Sequence, residues 1–86
     1  MSSYDRLVSK LFLEDGKPEE YAGGVINYYK VNCLHRLTGP AIIDPTRNYE
    51  EYRIRGEWIE PSKYWTDKRV AQYFAANEMM KILATE

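Results

Sequence analysis

The chain contains one histidine and one cysteine, and they lie two positions apart as Cys33 and His35. An imidazole titrates near neutrality and serves as acid, base or ligand, and a cysteine thiolate is a strong nucleophile. Two positions apart on an extended strand, both side chains share a face. Nucleophilic catalysis also needs a third group that orients the base, and no residue is marked for that by spacing. A zinc site needs three or four ligands, and beyond this pair only scattered carboxylates are on offer. No catalytic, metal or cofactor site is therefore expected. The simpler role for His35 and Arg36 is to hold the turn at Gly39-Pro40 through hydrogen bonds to nearby backbone or carboxylate groups.

Other patterns carry weaker chemistry. Gly23-Gly24 precedes a strand pattern rather than a helix, so it lacks the context of a phosphate loop. Glu50, Glu51, Glu57 and Glu60, interleaved with Arg47, Arg53 and Arg55, read as a solvated face with cross-strand ion pairs. Tyr28, Tyr29, Lys30, His35, Arg36, Arg47, Tyr49, Arg53 and Arg55 mix stacking and phosphate-binding groups suited to single-stranded RNA. The competing reading has the tyrosines at the edge of a small core and the arginines keeping the other face soluble. Twelve basic against thirteen acidic residues, a net charge of −1, provide no global attraction to nucleic acid or an anionic membrane. Aromatic and arginine side chains dominate binding energy at protein interfaces. The expected contact residues for a protein or RNA partner are accordingly Tyr49, Arg53, Arg55 and Trp58, joined by His35 and Arg36.

These side chains need a scaffold, and 86 residues allow one domain, which buries only about 60% of the surface its unfolded chain exposes. Tyr4, Leu7, Val8, Leu11 and Phe12 are spaced for one face of a helix over residues 3–14, with Ser3 as its cap. Residues 17–24 read as a loop. Residues 25–31 alternate as a strand of β-branched and aromatic side chains, a turn is expected at Asn32-Cys33, and residues 34–37 form a short second strand. Residues 41–44 are extended, and residues 49–55 show the clearest polar/apolar alternation. Tyr29–Cys33 and Tyr52–Gly56 align at an offset of 23 as a weak repeat. Pro61 suits a first helical turn, and Thr66-Asp67 can cap a helix reaching about Thr85.

The expected fold is therefore α+β. It has a three- or four-stranded antiparallel sheet within residues 25–59, a short N-terminal helix and a long C-terminal helix in the region 61–85. Apolar residues fall on both sides of that last helix. One flat sheet cannot cover both, so either the N-terminal helix packs on the second side or a second copy does; in the latter case Ala76, Met79, Met80 and Leu83 join two copies as the expected homodimer, since adaptable Met side chains suit interfaces. The lone cysteine fits a reducing compartment. No apolar run approaches the length of a membrane span and no export signal is evident, so a cytoplasmic location without membrane contact is expected.

The run His35-Arg36-Leu37-Thr38-Gly39-Pro40-Ala41-Ile42, preceded by YYKVN and followed by EEYRIRGEWI, resembles a repeat unit of small accessory proteins of tailed, T-even-like bacteriophages. The likeness spans roughly residues 27–59 and leaves both helical segments outside. Those units commonly carry Asn-Gly where this chain has Asn32-Cys33. The resemblance implies a phage protein acting in an infected bacterial host and brings no agreed chemistry. With no catalytic constellation in the residues, the expected function is non-enzymatic: binding and blocking or modulating a host factor such as a defence effector or toxin. Two alternatives stay open. One is an RNA-binding module that inhibits a ribonuclease through RNA; the other is a sponge for a small nucleotide signal, with His35 and Arg36 in a pocket at a dimer interface.

Overall fold

The computed structural model describes residue 7 and residues 9–84, with side chains as far as Asn77. Six strands form one antiparallel sheet: β1 (Lys17–Glu20), β2 (Ile26–Lys30), β3 (Cys33–Leu34), β4 (Ile42–Asp44), β5 (Tyr49–Ile54) and β6 (Glu57–Ile59). A 3-10 turn, Ala22–Gly24, joins β1 to β2, and the helices α1 (Pro61–Tyr64) and α2 (Lys68–Ala84) follow the sheet.

The expected α+β arrangement with three or four strands and a long C-terminal helix is corrected by this count and by the break in the helical region. The extra edge strand, β1, was expected to be loop. Its sequence KPEE has little β propensity, and it is extended because it pairs along β2, Lys17 opposite Tyr29 through Glu20 opposite Ile26. The helical region stops after Tyr64 and restarts at Asp67, whose carboxylate accepts the Arg69 N–H at 2.8 Å as an N-cap. The portion of α2 with described side chains, residues 68–77, is about ten residues long, and Val70 is its buried member. At the other end, Leu7 and residues 9–11 are helical. The proposed Ser3 cap and the start of that helix lie outside the described residues.

The sheet is a meander whose middle row is interrupted. β3 and β4 both pair with β2, one after the other along the same edge. His35 N–H donates to Tyr28 O at 2.9 Å, and Tyr28 N–H donates to Ala41 O at 2.8 Å. Both sides of Tyr28 are thus satisfied by one row, which leaves it after His35 and rejoins at Ala41. On the far edge of that row, Arg36 N–H reaches Arg53 O and Ala41 N–H reaches Glu51 O. Residues 36–40 therefore bulge out of a strand rather than link two elements. The short strand expected over residues 34–37 ends at Leu34 for this reason.

Two tight hairpins flank the row. The first turns at Val31-Asn32 (φ 49° and 59°) and the second at Arg55-Gly56 (φ 55° and 79°), giving the positive φ at both central positions that a type I′ turn requires. The turn expected at Asn32-Cys33 is displaced by one residue, with Cys33 inside β3. The hairpins consequently recur at an offset of 24 (55 − 31) rather than 23. In strands, one residue of slip exchanges the two faces.

Alternation divides the sheet cleanly. One face carries Ile26, Tyr28, His35, Ala41, Tyr52, Ile54 and Ile59 and is covered by the N-terminal segment, the 36–40 bulge and the helices. Its core is Leu37, Ile54, Tyr64 and Val70, with Tyr52, Ile59 and Tyr73 packed around them. Leu37, on the bulge, is 1% exposed. Gly16 seats the N-terminal segment against this face: a Cβ there would lie 1.8 Å from His35 O, so no larger residue fits without moving the backbone.

Candidate functional site

Two places gather the residues singled out by sequence: the bulge on the covered face and the open face opposite it. In the bulge, Asp15 is the organising group. Its Oδ1 accepts the N–H groups of Gly16 (2.9 Å) and Leu37 (2.8 Å), and its Oδ2 accepts the Thr38 hydroxyl (2.7 Å). Thr38 Oγ1 accepts Arg36 Nε–H at 3.1 Å, and Arg36 Nη1–H donates to Pro40 O at 3.1 Å. The guanidinium lies 3.9 Å from the centroid of the Tyr28 ring. From above, the Tyr64 hydroxyl donates to Arg36 O (2.6 Å) and accepts Gly39 N–H (3.2 Å). Burial pushes the Tyr64 phenol up to about 12, keeping it a donor at any physiological pH.

His35 is fully buried. Its Nε2 is 2.9 Å from Glu14 O, and its Nδ1 accepts the Arg55 N–H at 2.8 Å. These partners require a neutral ring with the proton on Nε2. Burial lowers the His35 pKa, the bond to the Glu14 carbonyl opposing it. The ring also meets Phe12 edge-on at 5.2 Å. It ties the N-terminal segment to the second hairpin, and neither nitrogen is left to activate Cys33 or to face a ligand. His35, expected among the contact residues, is corrected to a buried tie because the N-terminal segment closes over it. Arg36 is taken up in the bulge, and Arg55 turns back to Ser9 (3.3 Å) and to within 5.0 Å of the Phe12 ring.

Tyr49, Arg53 and Trp58 stand together on the open face, Arg53 directly opposite Trp58 across β5 and β6. Tyr49 and Trp58 are among the exposed aromatics, Trp58 at 54%. Tyr49 donates its hydroxyl to Glu51, whose other oxygen accepts Arg53 Nε–H at 2.7 Å, while Arg53 Nη1–H donates to Gly56 O at 2.9 Å. The Tyr49 bond and then the Arg53 bond hold the Glu51 carboxyl below its usual pKa, and the same contact raises the Tyr49 phenol. Further across the face, Tyr21 O–H reaches Glu19 and Tyr29, and Asn27 Nδ2–H donates to Tyr29 OH at 3.0 Å. Sequence reasoning did not single out Tyr21 and Asn27. The parity of β2, which puts Asn27 and Tyr29 opposite Tyr28, was the available signal for Asn27. Tyr21 follows β1, where the polar sequence predicts a loop.

No family model, curated protein or solved structure matches the chain.

Among the described residues, Arg36 is held in the bulge, Arg53 by Glu51 and Arg69 by Asp67 and Glu57, while Arg55 reaches Ser9 and Arg47, its side chain 82% exposed, lies 3.7 Å from Asp44. Among the described residues, no cluster of three or more potential metal ligands occurs. A groove of about 470 Å³ lies between the N-terminal segment and α2, bounded by Phe12, Leu13, Leu37 and Tyr73. Ala76 lines it and is exposed. The side chains of Met79, Met80 and Leu83, the remainder of the expected dimer face, lie outside the described residues. No helix among the described residues is long and apolar enough to cross a membrane.

Proposed function

We propose that this protein is a non-enzymatic binding protein that captures a protein partner on its open sheet face. The observation that carries the reading is the composition of that face. Tyr49 and Trp58 offer exposed aromatic surface, while Glu51 and Arg53 between them neutralise each other. Such a face presents aromatic anchors with little uncompensated charge, which suits a protein surface. Affinity for RNA would draw on cations free to reach phosphates, and on this face Arg53 is held by Glu51. The resemblance of residues 27–59 to units of phage accessory proteins supplies the setting: the partner is a host factor, such as a defence effector or toxin, whose action is blocked or modulated.

The test is affinity capture from bacterial lysate with tagged protein, before and after nuclease. One protein retained after nuclease, and lost with folded Tyr49→Ala or Trp58→Ala, supports the reading. Recovery of RNA with loss of all protein after nuclease would replace it by an RNA-binding function.

A further inference from the structure

The Arg55-Gly56 turn stands between the buried histidine and the open face. On its inner side the Arg55 N–H donates to His35 Nδ1 at 2.8 Å. On its outer side Gly56 O accepts Arg53 Nη1–H at 2.9 Å, and Arg53, opposite Trp58, holds Glu51 through its Nε–H at 2.7 Å. Arg55 and Gly56 are the two residues between β5 and β6, so a displacement of the Arg55 amide carries the Gly56 carbonyl with it. A path of hydrogen bonds and one tight turn thus leads from the imidazole to the surface.

The ring has no acceptor waiting for a second proton. It is fully buried, and Nε2 already donates to Glu14 O. The added proton sits on Nδ1 and meets the Arg55 N–H, donor against donor. A charged ring strengthens its bond to the Glu14 carbonyl, so the Arg55 amide is the side that yields. Burial is the largest influence and opposes the proton, joined by Lys30 on β2 and Arg69 on α2, while the Glu14 carbonyl and Asp15 on the N-terminal segment favour it. The Arg55 guanidinium, on the hairpin, is turned to Ser9 and Phe12, and that of Arg36, in the bulge, to Thr38 and Pro40. The rest of the covered face is held without the ring: Asp15 grips Leu37 and Thr38, and Tyr64 grips Gly39 and Arg36. Gly56 N–H donates to Leu34 O at 2.8 Å, so the turn shifts on the sheet rather than leaving it.

We propose that protonation of His35 is transmitted through the Arg55-Gly56 turn to the open face, releasing Arg53 from Gly56 and weakening capture of the partner in acid. Arg53 then swings on its remaining tie to Glu51, next to Trp58. As regulation of capture this rests on the reading above; the transmission itself belongs to the free chain. The face's own groups do not respond in the same range. Glu51 is held below its usual 4.5, first by Tyr49 and then by Arg53, and the bond to Glu51 raises Tyr49 above 10.

The experiment is an NMR titration of the free, isotope-labelled protein across and below pH 6.5, following the His35 ring, the Arg55 amide, the Arg53 Nε–H and the Trp58 indole. The expected result is one shared midpoint below 6.5 for all four, with the Arg55 amide losing its protection against exchange. The Gly39 and Ala41 amides, bonded to Tyr64 and Glu51, keep theirs. His35→Asn places an oxygen near the position of Nδ1, accepts the Arg55 N–H at every pH, and is expected to abolish the shifts at Arg53 and Trp58. A ring that titrates while Arg53 and Trp58 stay still overturns the proposal. So does loss of Gly39 and Ala41 protection at the same midpoint, which marks unfolding of the whole domain, and so does persistence of the shifts in folded His35→Asn. Should that variant not fold, the wild-type titration decides by its first two outcomes. Failure to capture any protein removes the reading of the face and leaves this titration as it is.

Discussion

His35 shows how one buried side chain makes stability depend on pH. Its folded pKa lies below 6.5, so between that lowered value and 6.5 the unfolded chain binds more protons. Stability is therefore fully present above pH 6.5 and falls as the pH drops below it. A proton on Nδ1 would also face the Arg55 N–H, which needs an acceptor there. Because this is the only histidine, His35→Leu should be less stable than wild type at neutral pH and should lose the slope near pH 6.5. Chemical denaturation at a series of pH values measures both effects. The depressed carboxylates Glu14 and Glu51 act in the same direction but at lower pH, below their ordinary value of 4.5. Val31 makes the opposite kind of contribution. A β-branched residue at φ 49° is strained, whereas asparagine enters that region readily. Val31→Asn should raise stability by about 1 kcal/mol, seen as a higher denaturation midpoint with an unchanged slope.

At the scale of elements, the bulge is held by partners distant in sequence. Asp15 grips it from the N-terminal segment and Tyr64 from α1, across 22 and 25 positions of sequence. Tyr64→Phe keeps the ring in the core but leaves the buried Gly39 N–H without an acceptor and Arg36 O without its donor. A loss of about 1–3 kcal/mol is expected, and thermal unfolding of the two proteins at equal concentration would show it. This convergence also explains what could be read from sequence. Alternation in residues 25–31 and 49–55 located β2 and β5, because each has one face on the core. It misplaced Leu37, whose apolar side chain looked like part of a strand and instead fills the core from a bulge. The turn at Gly39-Pro40 is legible locally, but the departure from and return to one row is not, since its two ends are defined by Tyr28 and its distant grip by Asp15 and Tyr64. β1 was hidden for a related reason: its extended form is imposed by β2. At the candidate site, Tyr49, Arg53 and Trp58 share a face because β5 and β6 alternate regularly. Arg36, Arg55 and His35 left that set once the N-terminal segment, whose docking spacing does not reveal, folded over the other side.

For the whole molecule, the division into a covered and an open face decides which kinds of partner fit. Charge is distributed in local pairs: Lys30 with Glu14, Arg47 with Asp44, Arg53 with Glu51 and Arg69 with Asp67. With a net charge of −1, there is little long-range field to gather a polyanion. Binding through phosphates would lose about 10³–10⁵ in affinity between 50 and 200 mM salt if six to ten contacts were made. Binding through Tyr49 and Trp58 would change far less over that range, because burial of aromatic surface is insensitive to screening at these concentrations. The affinity of the captured partner, measured by titration calorimetry across this salt series, should therefore vary by less than about tenfold, a bound far inside the loss expected of phosphate contacts. Arg53→Ala sharpens the comparison. It removes a cation from the face and leaves Glu51 uncompensated, so an RNA complex should weaken and keep a shallower salt dependence. A protein complex anchored on the aromatics should weaken chiefly through the unpaired carboxylate, and Arg53→Ala combined with Glu51→Gln, which removes that charge, should recover most of the affinity. Recovery without a steep salt slope supports the aromatic anchors; a steep slope with no recovery would assign the face to nucleic acid.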